Sequence, residues 1–193
     1  MTITAVLLAG GKSRRMGQDK ATLLFRGSPM WQIQLQLLRE LKPTELLVSA
    51  QADPPWRPSD AKFVADAEPS CGPISGIAAA LSRISNDYLI VLAIDMPFMT
   101  ESYLRSLCER IEPGRGVVPM IENRAEPLAT VYPRDAKAEF HDALSGDDFS
   151  LQSLVRTLIA ADKLFPIQVS DSEKDLFRNL NEPPDLKPPA IGG

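Results

Sequence analysis

Between residues 10 and 20 the chain gathers groups able to grip a polyphosphate. Gly10, Gly11 and Gly17 are interleaved with Lys12, Arg14, Arg15 and Lys20. Glycine lets the backbone approach an anion closely and adopt positive φ. Successive N–H groups in such a turn form an anion-binding concavity. The four cations, at positions 12, 14, 15 and 20, complete the outline of a triphosphate site. A solvated basic loop would carry the same residues. What argues for a site is placement, because the loop directly follows the apolar run Ile3 to Ala9. Gly11-Lys12-Ser13 is not the end of a Walker A loop, since the glycine that motif needs is replaced by Val6. No GxGxxG follows the run either.

Two carboxylates stand where a metal would complete that site. Asp66 ends the run Lys62–Ala65, and Asp95 follows Tyr88–Ile94 in Ile94-Asp95-Met96-Pro97-Phe98. A carboxylate at the end of a hydrophobic strand sits at the mouth of a sheet. There it can hold Mg²⁺, which prefers oxygen ligands and keeps several waters. Asp95 before a proline also suits a simple turn cap. Glu126-Pro127-Leu128 precedes a strand and could face the site. Asn179 and Asn181 put two amides on one side of an extended segment. Trp56 either stacks on a planar ring or pins its own proline-rich loop, and His141, the lone histidine, belongs on a helix surface.

These groups need a scaffold, and the hydrophobic pattern supplies one. Ile3–Ala9 and Tyr88–Ile94 read as strands buried on both faces. Glu45–Ala50, Lys62–Ala65, Gly116–Ile121, Leu128–Tyr132 and Lys163–Val169 read as further strands. Helices are expected from Ser28-Pro29, as cap and first position, with a stripe of Ile33, Leu37, Leu38 and Leu41. Others follow at Ile77–Ile84 after a turn at 72–76, from a Thr100 cap to about Glu112, at 134–144, and at 150–161 capped by Ser150. Alternation of this kind predicts a single-domain α/β, Rossmann-like three-layer sandwich with a mostly parallel central sheet. Ligands of such sheets sit beyond the carboxyl ends of the strands, where the loop and both aspartates fall. The domain is read as 1–181, with a proline- and glycine-rich tail at 182–193.

Composition limits the function. At 193 residues, 44% of them hydrophobic, the chain has the size of one α/β domain with a sizeable core. A net charge of -4 leaves no global basic field for nucleic acid, so an anion must be met locally. Cys71 and Cys108 lack a CxxC spacing and suggest neither a disulfide framework nor a zinc site. No apolar run approaches the ~20 residues of a membrane helix, and the start lacks the basic lead of a signal peptide. A cytoplasmic protein without nucleic-acid or membrane partners is expected.

Taken together, the motifs resemble those of the molybdenum cofactor guanylyltransferase family. The resemblance lies in Leu8-Ala9-Gly10-Gly11, Arg15-Met16-Gly17, Asp19-Lys20, Gly72-Pro73-Ile74-Ser75-Gly76, Asp95-Met96-Pro97-Phe98, Glu126-Pro127-Leu128 and Asn179-Leu180-Asn181. It spans nearly the whole chain, in order. It implies the nucleotide-diphospho-sugar transferase fold. It also implies a reaction in which a phosphate of molybdopterin, with or without molybdenum, attacks the α-phosphorus of GTP and releases pyrophosphate. The family pattern places GTP against Leu8, Ala9, Gly10 and Gly11, with Lys20, Asp66 and Asp95 in the nucleotide site and Mg²⁺ on Asp95. Arg15, Lys20 and Asp95 would be catalytic, and Glu126, Asn179 and Asn181 would face the pterin. Transient contact with proteins that deliver or receive the cofactor would fit this role. Where some relatives carry asparagine, this chain has Ser49, leaving one base or ribose contact open. Rival readings are a cytidylyltransferase acting on the same pterin, a sugar-phosphate nucleotidyltransferase and a non-catalytic nucleotide-binding cofactor carrier.

Overall fold

The computed structural model describes residues 1–10, 19–68 and 70–180. In chain order the strands are β1 (Ile3–Leu8), β2 (Leu24–Phe25), β3 (Ser28–Pro29), β4 (Glu45–Ala50), β5 (Lys62–Ala65), β6 (Tyr88–Ala93), β7 (Gly116–Ile121), β8 (Arg124–Ala125), β9 (Ala129–Pro133) and β10 (Leu164–Gln168). The helices are α1 (Met30–Glu40), α2 (Pro73–Arg83), α3 (Glu101–Cys108), α4 (Lys137–Ser145) and α5 (Leu151–Ala160). The main sheet runs β10-β7-β9-β6-β1-β4-β5, with β8 paired to β7. β1 is parallel to both β4 and β6, whereas β9 runs antiparallel to β6 and β7.

Alternation along the strands splits the core in two. On β1, Ala5 and Leu7 join α1 and α3 residues such as Leu35, Leu38, Leu104 and Leu107. Val6 and Leu8 face the other way, toward Ile74, Ile77, Phe140, Leu154 and Leu158 of α2, α4 and α5. Helices therefore cover both faces, which is the expected three-layer sandwich. It is also why β1 and β6 read as continuous apolar runs. Cys71 and Cys108 are free thiols. Among the described residues no helix is long and apolar enough to cross a membrane.

Three local expectations are corrected. Ser28-Pro29 does not start a helix with Ser28 as its cap. Leu24–Phe25 and Ser28–Pro29 pair antiparallel around Arg26 and Gly27, whose φ values are 53° and 84°. Positive φ at both central positions is the geometry of the type I′ hairpin turn, and it claims Ser28 for a strand. Pro29 then becomes the N-cap of α1, without a side-chain cap bond. The face α1 buries is centred on Met30, Gln34, Leu35 and Leu38, so Ile33, Leu37 and Leu41 lie along its half-buried margin. Helix α2 begins at Pro73, not Ile77. Gly72 adopts φ 81° at the N-cap and Pro73 takes the first turn, where a missing N–H costs nothing. Helix α3 is capped by Thr100, as expected, and ends at Cys108.

Gly116 opens β7 against β9, where a methyl group would overlap the Val131 carbonyl oxygen. Backbone on both sides cannot move aside. Gly116→Ala should therefore destabilise the fold by at least about 2 kcal/mol, measured by urea unfolding, with a smaller loss arguing that β7 and β9 can part.

Candidate active site

The chain leaves β1 for β4 and β5, then returns to β6 on the opposite side of β1. Such a switch point opens a crevice beyond the carboxyl ends of the strands. The strand ends here are laced together. Ala9 N–H donates to the Ser49 carbonyl at 2.8 Å, and Ile94 N–H donates to that of Leu8 at 3.1 Å. Leu8-Ala9-Gly10 thus runs between the Asp66 side and the Asp95 side. A cleft of about 150 Å³ opens over it, lined by Leu8, Ala9, Gly10, Lys20, Pro73, Asp95 and Leu128 among others. A neighbouring hollow of about 270 Å³ shares Ala9 and Gly10 and extends to Gln51, Pro55 and Trp56. A larger hollow, about 520 Å³, is lined by Glu45 and Lys62 at the amino ends of their strands, away from these groups.

Lys20 and Asp95 meet across this crevice. Lys20 Nζ lies 3.2 Å from Asp95 Oδ2, and both side chains are partly exposed at 25% and 20%. Lys20 is held in place from behind. Asp19 caps the short 3-10 turn Lys20–Thr22, accepting from Ala21 N–H at 3.0 Å, and its other oxygen accepts from Trp56 Nε1 at 2.9 Å. Trp56 in turn stacks on Trp31, with centroids 5.6 Å apart and planes at 17°. Trp56 thus ties its proline-rich loop to Asp19 and Trp31 while also lining the hollow beside Gly10.

Asp66 stands on the other flank of Gly10. It is half-buried, and burial is the main cause holding its carboxyl above the usual range. The Ser49 hydroxyl donates to Oδ1 at 2.7 Å and opposes that shift, while Glu68 adds to it. Two glycines make room for this carboxylate. An added β-carbon at Gly10 would lie 2.6 Å from Oδ2, and one at Gly76 would lie 3.2 Å from Oδ1. Both glycine motifs therefore converge on one side chain. The sequence names Ser49 as an open contact and Gly76 and Asp19 as motif members, but assigns none of them the role of holding a site side chain. The cap pattern Asp19-Lys20-Ala21 was a usable signal for Asp19; Ser49 and Gly76 matter only through the tertiary fold.

The acceptor side is less tightly gathered. Glu126 is half-buried, with its carboxyl raised chiefly by burial, and stands two residues from the cleft-lining Leu128. Asn179 is exposed beside Leu180, whose N–H donates to the Asp95 carbonyl at 2.9 Å. His141 is on the surface, as expected. Gly11, Arg15, Asn181 and the tail 182–193 lie outside the described residues.

Whether these residues suit Mg²⁺ is answered by the Lys20–Asp95 pair. A cation already sits against an accessible carboxylate oxygen, so the position favours positive charge. Among the described residues no group of three or more His, Cys, Asp or Glu could hold a metal. A single carboxylate with phosphate oxygens and waters is the coordination Mg²⁺ commonly takes in phosphate sites, so the donor set fits.

The family model for the MobA-like NTP transferase domain matches residues 5–163. The chain belongs to this family. A probable molybdenum cofactor guanylyltransferase of Opitutus terrae is 31% identical over 186 residues, which cover 95% of this chain and 92% of that protein. In fold the chain is similar to molybdopterin-guanine dinucleotide biosynthesis protein A of Archaeoglobus fulgidus, with a TM-score of 0.69, 23% identity and coverage of 95% and 94%. It is also similar to 4-diphosphocytidyl-2C-methyl-D-erythritolsynthase of Anaerococcus prevotii, with a TM-score of 0.72, 11% identity and coverage of 96% and 92%. Both likenesses are of fold; the transferase character of the family comes from the name of its model.

The site yields two stability predictions. A carboxyl raised in the folded state contributes stability below its unfolded pKa and loses it as pH rises through the folded pKa. Charged Asp66 therefore weakens the fold at neutral pH. Asp66→Asn should melt above the parent at pH 7, and the gap should close as pH falls below the ordinary aspartate range. A parent that melts higher at pH 7 would contradict the burial argument. Lys20→Ala removes a partly exposed ion pair, worth about 0–1 kcal/mol. Its melting should hardly move while triphosphate affinity, read by calorimetry, falls; a large stability loss would mark Lys20 as structural.

Proposed function

We propose that this protein transfers GMP from GTP to the terminal phosphate of molybdopterin, releasing pyrophosphate and forming the guanine dinucleotide cofactor. The observation that carries this reading is the Lys20–Asp95 pair at the switch-point crevice, 3.2 Å apart, beside Gly10. The name of the Opitutus terrae relative supports the guanylyl branch and the pterin acceptor. The fold does not choose the base, since the fold neighbours also include a protein named for a diphosphocytidyl product.

In this reading the nucleotide lies along Leu8, Ala9 and Gly10, with Asp66 on one flank and Lys20 and Asp95 on the other. Gly11 and Arg15 extend the set by sequence alone. Lys20 neutralises triphosphate charge and holds the chain of phosphates in line. Asp95 would hold Mg²⁺, which when bound neutralises charge on the phosphate oxygens. The acceptor phosphate is already ionised, so the attack needs no general base. Catalysis is then positioning and charge stabilisation. A new P–O bond forms at the α-phosphorus as the bond to the β-phosphate oxygen breaks. Glu126, Asn179 and Asn181 are assigned to the pterin side, where the acceptor must approach opposite the departing pyrophosphate. The reaction is placed in the cytoplasm, with transient contact to proteins that deliver or receive the cofactor.

Pyrophosphate release with molybdopterin, Mg²⁺ and a panel of nucleotides tests this directly. GTP should outpace CTP at equal concentration; the reverse order would return the protein to the cytidylyl branch. Asp95→Ala should lose on the order of a hundredfold or more, as when a charge-stabilising group is removed from an active site. Unchanged turnover in that variant would refute the metal role, whereas a parent that binds GTP but releases no pyrophosphate would leave a carrier as the better reading. GTP with Mg²⁺ should also raise the melting temperature, since a ligand bound only by the folded state stabilises it, by about 2.7 kcal/mol at a hundred times its Kd.

A further inference from the structure

Ser49 is a buried polar residue whose hydroxyl the structure ties to Asp66. Its side chain is fully buried at 0% exposure, so it touches no ligand. It is the penultimate residue of β4, and its own carbonyl accepts from Ala9 N–H at 2.8 Å, tying it to the end of β1. The hydroxyl has one proton and two nearby acceptors. Asp66 Oδ1 lies at 2.7 Å, the range of a charge-assisted bond, whereas the Gly76 carbonyl is 3.4 Å away. The proton therefore goes to the carboxylate. With Oδ1 fixed, Oδ2 is left against the Gly10 backbone, where an added β-carbon would lie 2.6 Å away. Gly76 secures the same arrangement, because a β-carbon there would lie 2.9 Å from Ser49 Oγ.

We propose that Ser49 is a positioning residue for the nucleotide, its buried hydroxyl fixing the Asp66 carboxylate so that the free oxygen is presented beside Gly10 to donor groups of the bound nucleotide. This rests on the guanylyltransferase reading above. The bond also favours the charged form of a carboxylate that burial disfavours. Among the described residues around Asp66, Glu68 is the charged one whose field acts on it; Ser49 from β4 and Gly76 from α2 are neutral.

The test is a double-mutant cycle on GTP affinity, measured by calorimetry with Mg²⁺ for the parent, Ser49→Ala, Asp66→Asn and the double variant. Ser49→Ala should weaken binding about tenfold, the loss expected for a hydrogen bond to a charged group. Asp66→Asn should weaken it further, and the double variant should match Asp66→Asn. If Ser49 acts through Asp66, its effect vanishes once that carboxylate is gone. The acid limb of GTP affinity should also move to higher pH in Ser49→Ala, a change that a purely structural role would not produce. Independent, multiplying effects, or parent-like binding by Ser49→Ala, overturn the proposal. A parent that binds no GTP sinks the functional reading and this one together, whereas binding with an additive cycle sinks this one alone. Circular dichroism melting first establishes that each variant folds. Ser49→Cys, close in volume and a weak donor, replaces an alanine variant that does not.

Discussion

The parallel pairing of β1 between β4 and β6 is the constraint on which the site depends. Ile3–Leu8 matches Tyr88–Ala93 on one side, and Thr4–Leu8 matches Glu45–Ser49 on the other, without a break. Both faces of β1 are buried, so a slip of one residue would move Leu7 and Leu8 into each other's core. Register is therefore strongly specified, and with it the level at which Gly10, Ser49 and Asp95 emerge from the sheet. The strands thus set, through packing alone, where these groups stand relative to one another.

What was legible in the sequence follows the same logic. Central strands such as Tyr88–Ala93 were readable because burial on both faces leaves an unbroken apolar run. The sites at their ends were readable because open α/β sheets bind ligands there, and because the chain resembles a known family. The hairpin 24–29 was not, since its turn is Arg26-Gly27 and lacks the Asn-Gly or Asp-Gly pair that marks a two-residue loop. The start of α2 was hidden by glycines at 72 and 76 that suggested a turn. Gly76 proves to be helical, and its missing side chain serves Ser49 and Asp66, a requirement set by neighbours 27 and 10 residues away. Such long-range steric needs leave no local pattern to read.

The two flanks of Gly10 treat charge in opposite ways. On one, Lys20 and Asp95 form a partly exposed pair, with Asp19 and the stacked Trp56–Trp31 holding Lys20 from behind. On the other, Asp66 accepts a neutral hydroxyl and has Glu68, a like charge, as its charged neighbour. A carboxylate kept half-buried, with no cation beside it among the described residues, is a cost to the fold. Its cradle of two glycines and a buried serine shows that the position is built rather than incidental. An acidic chain of net charge -4 has no general attraction for an anion, so any anion must be met by charges set locally.

The acceptor half of the crevice is joined to this frame through the backbone. Leu180 N–H donates to the carbonyl of Asp95, and Leu180 itself is buried at 4%. Phe177, just before it, packs edge-on against Tyr103 of α3, the helix that follows the Asp95 loop. Arg178 lies over Phe98, three residues after Asp95. The segment bearing Asn179 is thus anchored on the element that carries Asp95, although nearly the whole chain separates it from the glycine loop.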